Sequence, residues 1–296
     1  MAQFNALIVN MLEQGFLFGF LGLGVLITFR FFRFPDLTAE GSYPLGGAVA
    51  ATLLVDGVHP VLATAAAVLA GVAAGMVTAF VHTKLRINNI VAGIIVMTAL
   101  YTVNLRVMGR ANVSLLNVNT IFDDTQAALG VPDSHGTLVV IALTFLLLIV
   151  VAFALARFMH TDLGLAVRAT GENERMIRAL GVDTDRTKLI GLALSNGAIA
   201  LSGALVAQDH GFADIGMGIG ILVTGAAAVM IGEALFGDRS IEHWIVATIV
   251  GVLIYRFLVA FALRVGLDPV DLKLITAILL LASLSVPRIR HRLGWA

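Results

Sequence analysis

Thr137-Leu-Val-Val-Ile-Ala-Leu-Thr-Phe-Leu-Leu-Leu-Ile-Val-Val-Ala-Phe-Ala-Leu-Ala156 is a run of 20 residues with no charge, no proline and no glycine. Folded as a helix it rises about 30 Å, the hydrocarbon thickness of a bilayer. Working outward, eight further apolar runs bounded by charges, prolines or polar clusters lie near 7–29, 42–55, 59–81, 87–107, 188–208, 216–235, 241–263 and 272–286. The run at 42–55 is short and glycine-rich, and 216–235 opens on Gly216, Gly218 and Gly220, so both read as broken or re-entrant helices. The expected fold is an all-α polytopic membrane protein with about nine spans, within a range of eight to ten.

Composition agrees. The 296 residues are 59% hydrophobic and 13% charged, about half the ~25% charge of a soluble domain. That excludes an ordinary soluble enzyme, and the apolar content excludes a disordered chain. Zero cysteines exclude a disulfide scaffold. Net charge is zero, so a nucleic-acid partner held by bulk charge has no support. No Lys or Arg precedes Arg30, so the first run reads as a retained span rather than a cleaved signal peptide.

Basic residues set the orientation. With the 157–187 loop on the cytoplasmic side, fourteen of the nineteen Lys and Arg fall inside, including Arg30, Arg33, Lys84, Arg86 and the tail Pro287–Ala296. The expectation is N-terminus out and C-terminus in, with an extracytoplasmic loop at 108–136. The halves near 7–136 and 188–286 also match at a shift of 178 residues. The shift sets Asp36 on Asp214 and Gly47-Ala48 on Gly225-Ala226 across an odd number of spans, as two inverted-topology repeats require. Both Asp residues precede a short, glycine-interrupted segment, the pointer to a binding region at a repeat interface, although helix capping by either Asp is the alternative.

The loop Thr161-Asp-Leu-Gly164-Leu-Ala-Val-Arg168-Ala-Thr-Gly171-Glu172-Asn173-Glu174-Arg175-Met176-Ile177-Arg178-Ala-Leu180-Gly181 is the most informative hydrophilic stretch. Thr161 or Asp162 caps a short helix that Gly171 breaks, and a second helix runs from about Glu172 to Leu180, with Gly181 ending it. Met176, Ile177 and Leu180 share a side of that helix, and charge lies on the others. Such a helix suits docking into a groove of a partner, or lying on lipid headgroups. Within the spans, Tyr101 and Asn104 lie one turn apart on one helix face and form the candidate pathway pair, and Asn196 is a further candidate. Interhelical hydrogen bonding is the alternative for each. Glu13 reads as a snorkelling acid or a pair for Arg256, Glu233 as a partner for Arg239, and Asn88 as a helix cap.

Three stretches carry a family resemblance: Gly15 to Gly24, Phe34-Pro-Asp-Leu-Thr-Ala-Glu-Gly-Ser-Tyr-Pro-Leu-Gly-Gly-Ala48, and Gly164-x3-Arg168-Ala-x-Gly171-x-Asn173 through Gly181. On them the chain resembles the permease subunits of bacterial ABC importers of the branched-chain amino acid, ribose and nucleoside superfamily, most of all the short amino acid, including aromatic amino acid, permeases. The resemblance implies a single transmembrane domain over 1–296 in the cytoplasmic (inner) membrane and a pathway built by two permease subunits. A homodimer is expected, with a paralogue pair as the alternative. It further implies an ATPase docking on the loop through Arg168, Gly171, Glu172, Asn173, Arg175 and Met176, and an extracytoplasmic substrate-binding protein. Met176-Ile177 departs from the small residues common there. No Gly-x4-Gly-Lys-Ser/Thr phosphate loop occurs, so ATP and Mg belong to the partner, and the chain itself needs no cofactor, no metal and no catalytic residue. Alternatives are a sugar or nucleoside as solute, or an ion-coupled secondary transporter.

Overall fold

The computed structural model describes residues 2–132, 135–237 and 240–268, and beyond them 271, 272, 274–278 and 281; side chains are described from Leu7 onward. The α-helices up to residue 264 are, in chain order among the described residues, α1 Ala2–Leu26, α2 Ala39–Val55, α3 Pro60–Lys84, α4 Asn89–Met108, α5 Ile121–Leu129, α6 Gly136–Met159, α7 Asp162–Ala179, α8 Thr184–His210, α9 Ile221–Phe236 and α10 Ile241–Arg264. Two three-residue strands, β1 Asn112–Ser114 and β2 Phe212–Asp214, pair antiparallel, with Val113 opposite Ala213.

Seven helices among the described residues are long and apolar enough to cross a membrane. The run at 42–55 is α2, 17 residues or about 25 Å, shorter than the hydrocarbon layer. It begins three residues before the apolar run, which leaves Pro44 inside the helix rather than at its edge. Proline has no amide hydrogen to give the Glu40 carbonyl. The run at 216–235 is broken as its glycines suggest: a 3₁₀ turn, Ile215–Gly218, precedes α9, and Gly220 turns the chain at φ 81°. The ninth run, 272–286, lies largely outside the described residues, as do Arg239, Lys273 and the tail 287–296.

α1 and α8 are the most buried of the long helices and form the centre. α8 packs on α2 and α3, whereas α1 packs on α10, α9 and α6. Lipid offers no hydrophobic drive between helices, so close packing of small residues takes over. A Cβ at Gly46 would stand 1.9 Å from the Ala200 carbonyl oxygen, and one at Gly203 would stand 1.9 Å from that of Tyr43. Gly71 and Gly75 of α3 meet the α8 backbone at Asn196 and Leu192 in the same way.

The chain has two ends. At one, β1 and β2, α5, and the contact of Gln14 with Asp209 lie together. At the other, Phe32 meets Gly191, Lys84 meets Asp185 at 3.5 Å, and Arg30 meets Glu233 at 3.3 Å. Glu233 therefore pairs with α1 across the bundle. Glu13 faces Asp209, and the Arg256 guanidinium stacks 3.2 Å from the Phe18 ring centroid, so the expected Glu13–Arg256 pair is not the contact either makes.

Gly203→Ala is expected to cost about 1–3 kcal/mol through overpacking. Gly191→Ala on the same helix, where the new Cβ meets only ordinary contacts at 3.6 Å, should be neutral or stabilising. Thermal unfolding of the purified chain in detergent checks both, and equal midpoints would contradict the close approach.

Candidate functional site

The start of α2 touches the 3₁₀ turn that precedes α9. Gly218, at the end of the 3₁₀ turn, lies against α2 so tightly that a Cβ there would stand 2.0 Å from the Glu40 carbonyl oxygen and 2.7 Å from Pro44. Beside this contact, and closed by α4, is a cavity of about 280 Å3 lined by Glu40, Gly41, Pro44, Met97, Thr98, Tyr101, Asn104, Ile215, Gly218 and Ile219. Both members of the predicted pathway pair are here. Tyr101 is exposed at 57%, while Asn104 is buried at 1%. The Asn104 Nδ2 donates to the Gly41 carbonyl at 3.1 Å, and its Oδ1 has no hydrogen-bond partner among the described residues.

Asp36 and Asn196 are brought together, but away from this cavity. Asn196 Nδ2 donates to Asp36 Oδ2 at 2.7 Å and to the Leu192 carbonyl at 3.0 Å, and its Oδ1 accepts from the Ser42 hydroxyl at 2.7 Å. Asp36 Oδ1 accepts from the Thr38 amide at 2.9 Å. Both side chains are fully buried and saturated, which fixes the start of α2 against the middle of α8. Asp214 repeats the local geometry: its Oδ1 accepts from the Gly216 amide at 2.7 Å, and its Oδ2 accepts from Asn112 at 3.2 Å. Asn88 caps α4, as expected, through the Ile90 amide at 3.0 Å.

At the β1–β2 end a polar bowl of about 960 Å3 opens between the 112–126 loop, the start of α6 and the end of α8, with Gln208 and Asp209 in its wall. Gln208 is a polar residue inside the apolar run 188–208. It ties the loop to the bundle by accepting from the Ile121 amide at 3.0 Å and donating to Thr64 at 3.0 Å.

At the opposite end, α7 is the hydrophilic loop. Thr161 caps it through the Gly164 amide at 3.2 Å. The break comes at Asn173, with φ −154° and ψ 90°, rather than at Gly171. Asn173 Oδ1 accepts from the Met176 amide at 3.0 Å and so caps the second segment. Gly171 serves a different need: a Cβ there would lie 2.7 Å from the carbonyls of Phe31 and Phe32. Those carbonyls end a π-helical turn, Ile27–Phe31, at the foot of α1. Ile177 turns inward and is buried, while Met176 and Leu180 are exposed, so the three do not share one outward face. Arg175 is exposed and Arg168 half-buried.

Charge straps this loop down. Arg33, with φ 49°, pairs with Glu172 at 2.7 Å. Lys188, buried on α8, gives its ammonium to Glu174 at 2.7 Å and lies 3.1 Å from His82 Nε2 on α3. Arg178 bridges Glu174 at 3.2 Å and Asp185 at 3.1 Å. Burial pushes the Glu174 carboxyl up, but the Lys188 ammonium, the Thr184 hydroxyl and Arg178 outweigh it and hold the group below the ordinary carboxylate range.

Residues 7–284 match the family model described as branched-chain amino acid transport system / permease component. The chain belongs to this permease family. It is 40% identical over 278 residues to a tyrosine transport system permease protein of Clostridioides difficile, covering 94% of this chain and 90% of that one. It is 36% identical over 283 residues to an uncharacterized protein of Rickettsia prowazekii, covering 94% and 97%. The ribose import permease of Escherichia coli is 31% identical over 224 residues, covering 75% of this chain and 67% of that one. No solved structure matches. As a permease, the chain is a multi-pass inner-membrane transport subunit, not a catalytic enzyme.

A carboxyl held low contributes stability above its unfolded value, near 4.3, that is lost as pH falls through its folded value. Glu174→Gln removes that contribution at every pH. Hydrogen exchange over 172–180 at neutral pH is therefore expected to rise several-fold in the variant. Exchange equal to the parent would show that the Lys188 strap does not hold the loop.

Proposed function

We propose that the chain is the membrane subunit of a binding-protein-dependent ABC importer for an amino acid, working as a homodimer, with a separate ATPase supplying ATP hydrolysis. The observation that carries this reading is α7. It is a bent, capped helix pair that presents Met176, Arg175 and Leu180 outward, while Glu172, Gly171 and the Lys188–Glu174 strap tie its other side to α1, α3 and α8. A push on that exposed face reaches the feet of the central helices directly. A lipid-surface helix has no need of such anchoring.

In this reading α7 faces the cytoplasm, the N-terminus is outside, and the polar bowl at the β1–β2 end receives the binding protein. The whole chain is one domain of two inverted halves, about 7–136 and 188–286, joined by the 157–187 loop. Three features support the repeat. The 178-residue shift carries Leu7–Phe31 onto 185–209 within α8, Ala39–Val55 onto the 3₁₀ turn and α9, and Pro60–Lys84 onto α10. Asp36 and Asp214 make the same bond to the amide two residues on, and each is held by an asparagine from the opposite half. The central helices are exchanged, since α8 packs on α2 and α3, and α1 on α9 and α10. Solute then passes where the start of α2 meets the 3₁₀ turn before α9, beside Tyr101 and Asn104. Asp36 and Asn196 act as the lock that holds the α2 start, and Asp214 as the cap of the opposing one.

Deleting Glu172–Leu180, or placing Asp at both Met176 and Leu180, is expected to abolish co-purification of the ATPase while membrane insertion is kept. ATPase retained at the parent level by both variants would place docking elsewhere and sink the importer reading.

A further inference from the structure

We propose that His82 is a positioning residue for coupling: its neutral ring closes a hydrogen-bond relay, Glu174–Lys188–His82–Ile87, that ties α7 to the start of α4, and a proton on Nε2 opens that relay. The inference rests on the permease reading above, in which α7 takes the push of the ATPase, and adds the route of that push and the proton that controls it.

Both ring nitrogens of His82 are engaged, and their partners demand the same tautomer. Nδ1 lies 2.7 Å from the Ile87 carbonyl, which only accepts, so the ring hydrogen sits on Nδ1. Nε2 lies 3.1 Å from the Lys188 ammonium, which only donates, so Nε2 keeps its lone pair. Lys188 holds its charge although it is buried, because the Glu174 carboxylate stands 2.7 Å from it. An imidazolium in this place would set a second cation against the ammonium and leave no lone pair to receive it.

The surroundings do not offset that repulsion. The other carboxylate facing the ring, Asp185 of α8, is shared between Lys84 at 3.5 Å and Arg178 at 3.1 Å, and Glu174 is shared between Lys188 and Arg178. Phe34 meets the ring edge-on, with centroids 5.0 Å apart, and carries no charge. Arg86, in the turn between α3 and α4, is exposed.

The two ends of the relay give it a use. Glu174 lies in the second segment of α7, close to the exposed Met176. Ile87 precedes Asn88, the cap of α4, and α4 carries Tyr101 and Asn104 at the cavity. A displacement of α7 thus reaches α4 through groups in direct contact. Released into water, a histidine ring takes a proton near pH 6.5. The closed relay binds no proton at Nε2 and the opened one does, so closure is favoured above about pH 6.5 and weakens as pH falls below it. Glu174, held below the ordinary carboxylate range, stays ionised across that window.

Hydrogen exchange of the purified chain in detergent, corrected for the intrinsic effect of pH, is read over 172–180 and 88–93 at about pH 7.5 and about pH 5.5, on either side of the histidine range. In the parent, exchange over both segments is expected to rise together, at least threefold, on acidification. His82→Gln keeps a donor and an acceptor and takes no proton, so it should match the parent at the higher pH and show no rise at the lower one. His82→Arg, cationic throughout, should exchange at the raised level at both. If His82→Arg does not insert, Lys188→Met, which leaves no ammonium for the ring to receive, takes its place and should likewise lose the acid step. A step that survives in His82→Gln, or one confined to 172–180 with 88–93 unmoved, overturns the proposal. In the importer assembled with its ATPase and binding protein, His82→Arg should lose at least threefold in ATP-driven uptake of labelled tyrosine with the ATPase bound at the parent level, and His82→Gln should restore uptake. Loss of the ATPase together with uptake would make His82 part of the docking surface and overturn its role in the relay. If the parent chain binds no ATPase through α7, the permease reading fails, and the exchange result still decides the relay.

Discussion

The close approach of α8 to α2 and α3 is the constraint from which the rest of the structure follows. Within a bilayer, helices gain nothing from hiding apolar surface, so a central helix is held by backbone contact and by polar groups that have no water to turn to. Gly46, Gly71, Gly75 and Gly203 bring carbonyls of one helix to the surface of the next. Once they do, Asn196 at the middle of α8 reaches both Asp36 and Ser42. That network can exist only at this separation, and it fixes where α2 begins: inside the bundle, not at its edge.

A helix that begins inside the bundle leaves a place to be filled. The 215–219 linker fills it, with Gly218 against Glu40 and Pro44, and what remains is the cavity beside Asn104. At the other end the same central helices receive the bent loop. Gly171 on the Phe31 and Phe32 carbonyls, Glu172 on Arg33 and Glu174 on Lys188 connect α7 to the segment at the foot of α1 and to α8. The π-helical turn at Ile27–Phe31 lies between the loop and the packed part of α1, an irregularity of the kind often found at functional points of a helix. The exposed face of α7 and the cavity beside Asn104 are thus joined through one set of helices.

The apolar runs were legible because lipid demands long, self-satisfied helices, and the break at 216–235 was legible from its glycines, whereas 42–55 is a short but continuous helix. The junction of Tyr101 with Asn104, one turn apart on α4, was legible too. Partners distant in sequence were not: Glu233 meets Arg30, and Arg256 stacks on Phe18. Gly171 shows a subtler limit. A glycine in a polar loop signals a bend, but this one is demanded by contact with α1, and the bend falls two residues later, where the Asn173 side chain can cap the next turn. Likewise Asn196 and Asp36, polar in an apolar setting, signal either a solute contact or a helix lock, and only their mutual distance separates the two.

The central claim is that the motion of this bundle is driven from outside the chain, through α7. Uptake of labelled tyrosine into liposomes holding the permease, its ATPase and ATP, with the binding protein added outside, tests it most directly. Uptake that requires both ATP and the ATPase, and that no imposed ion gradient replaces, is the predicted result. Concentrative uptake by the permease alone under a sodium or proton gradient would contradict it.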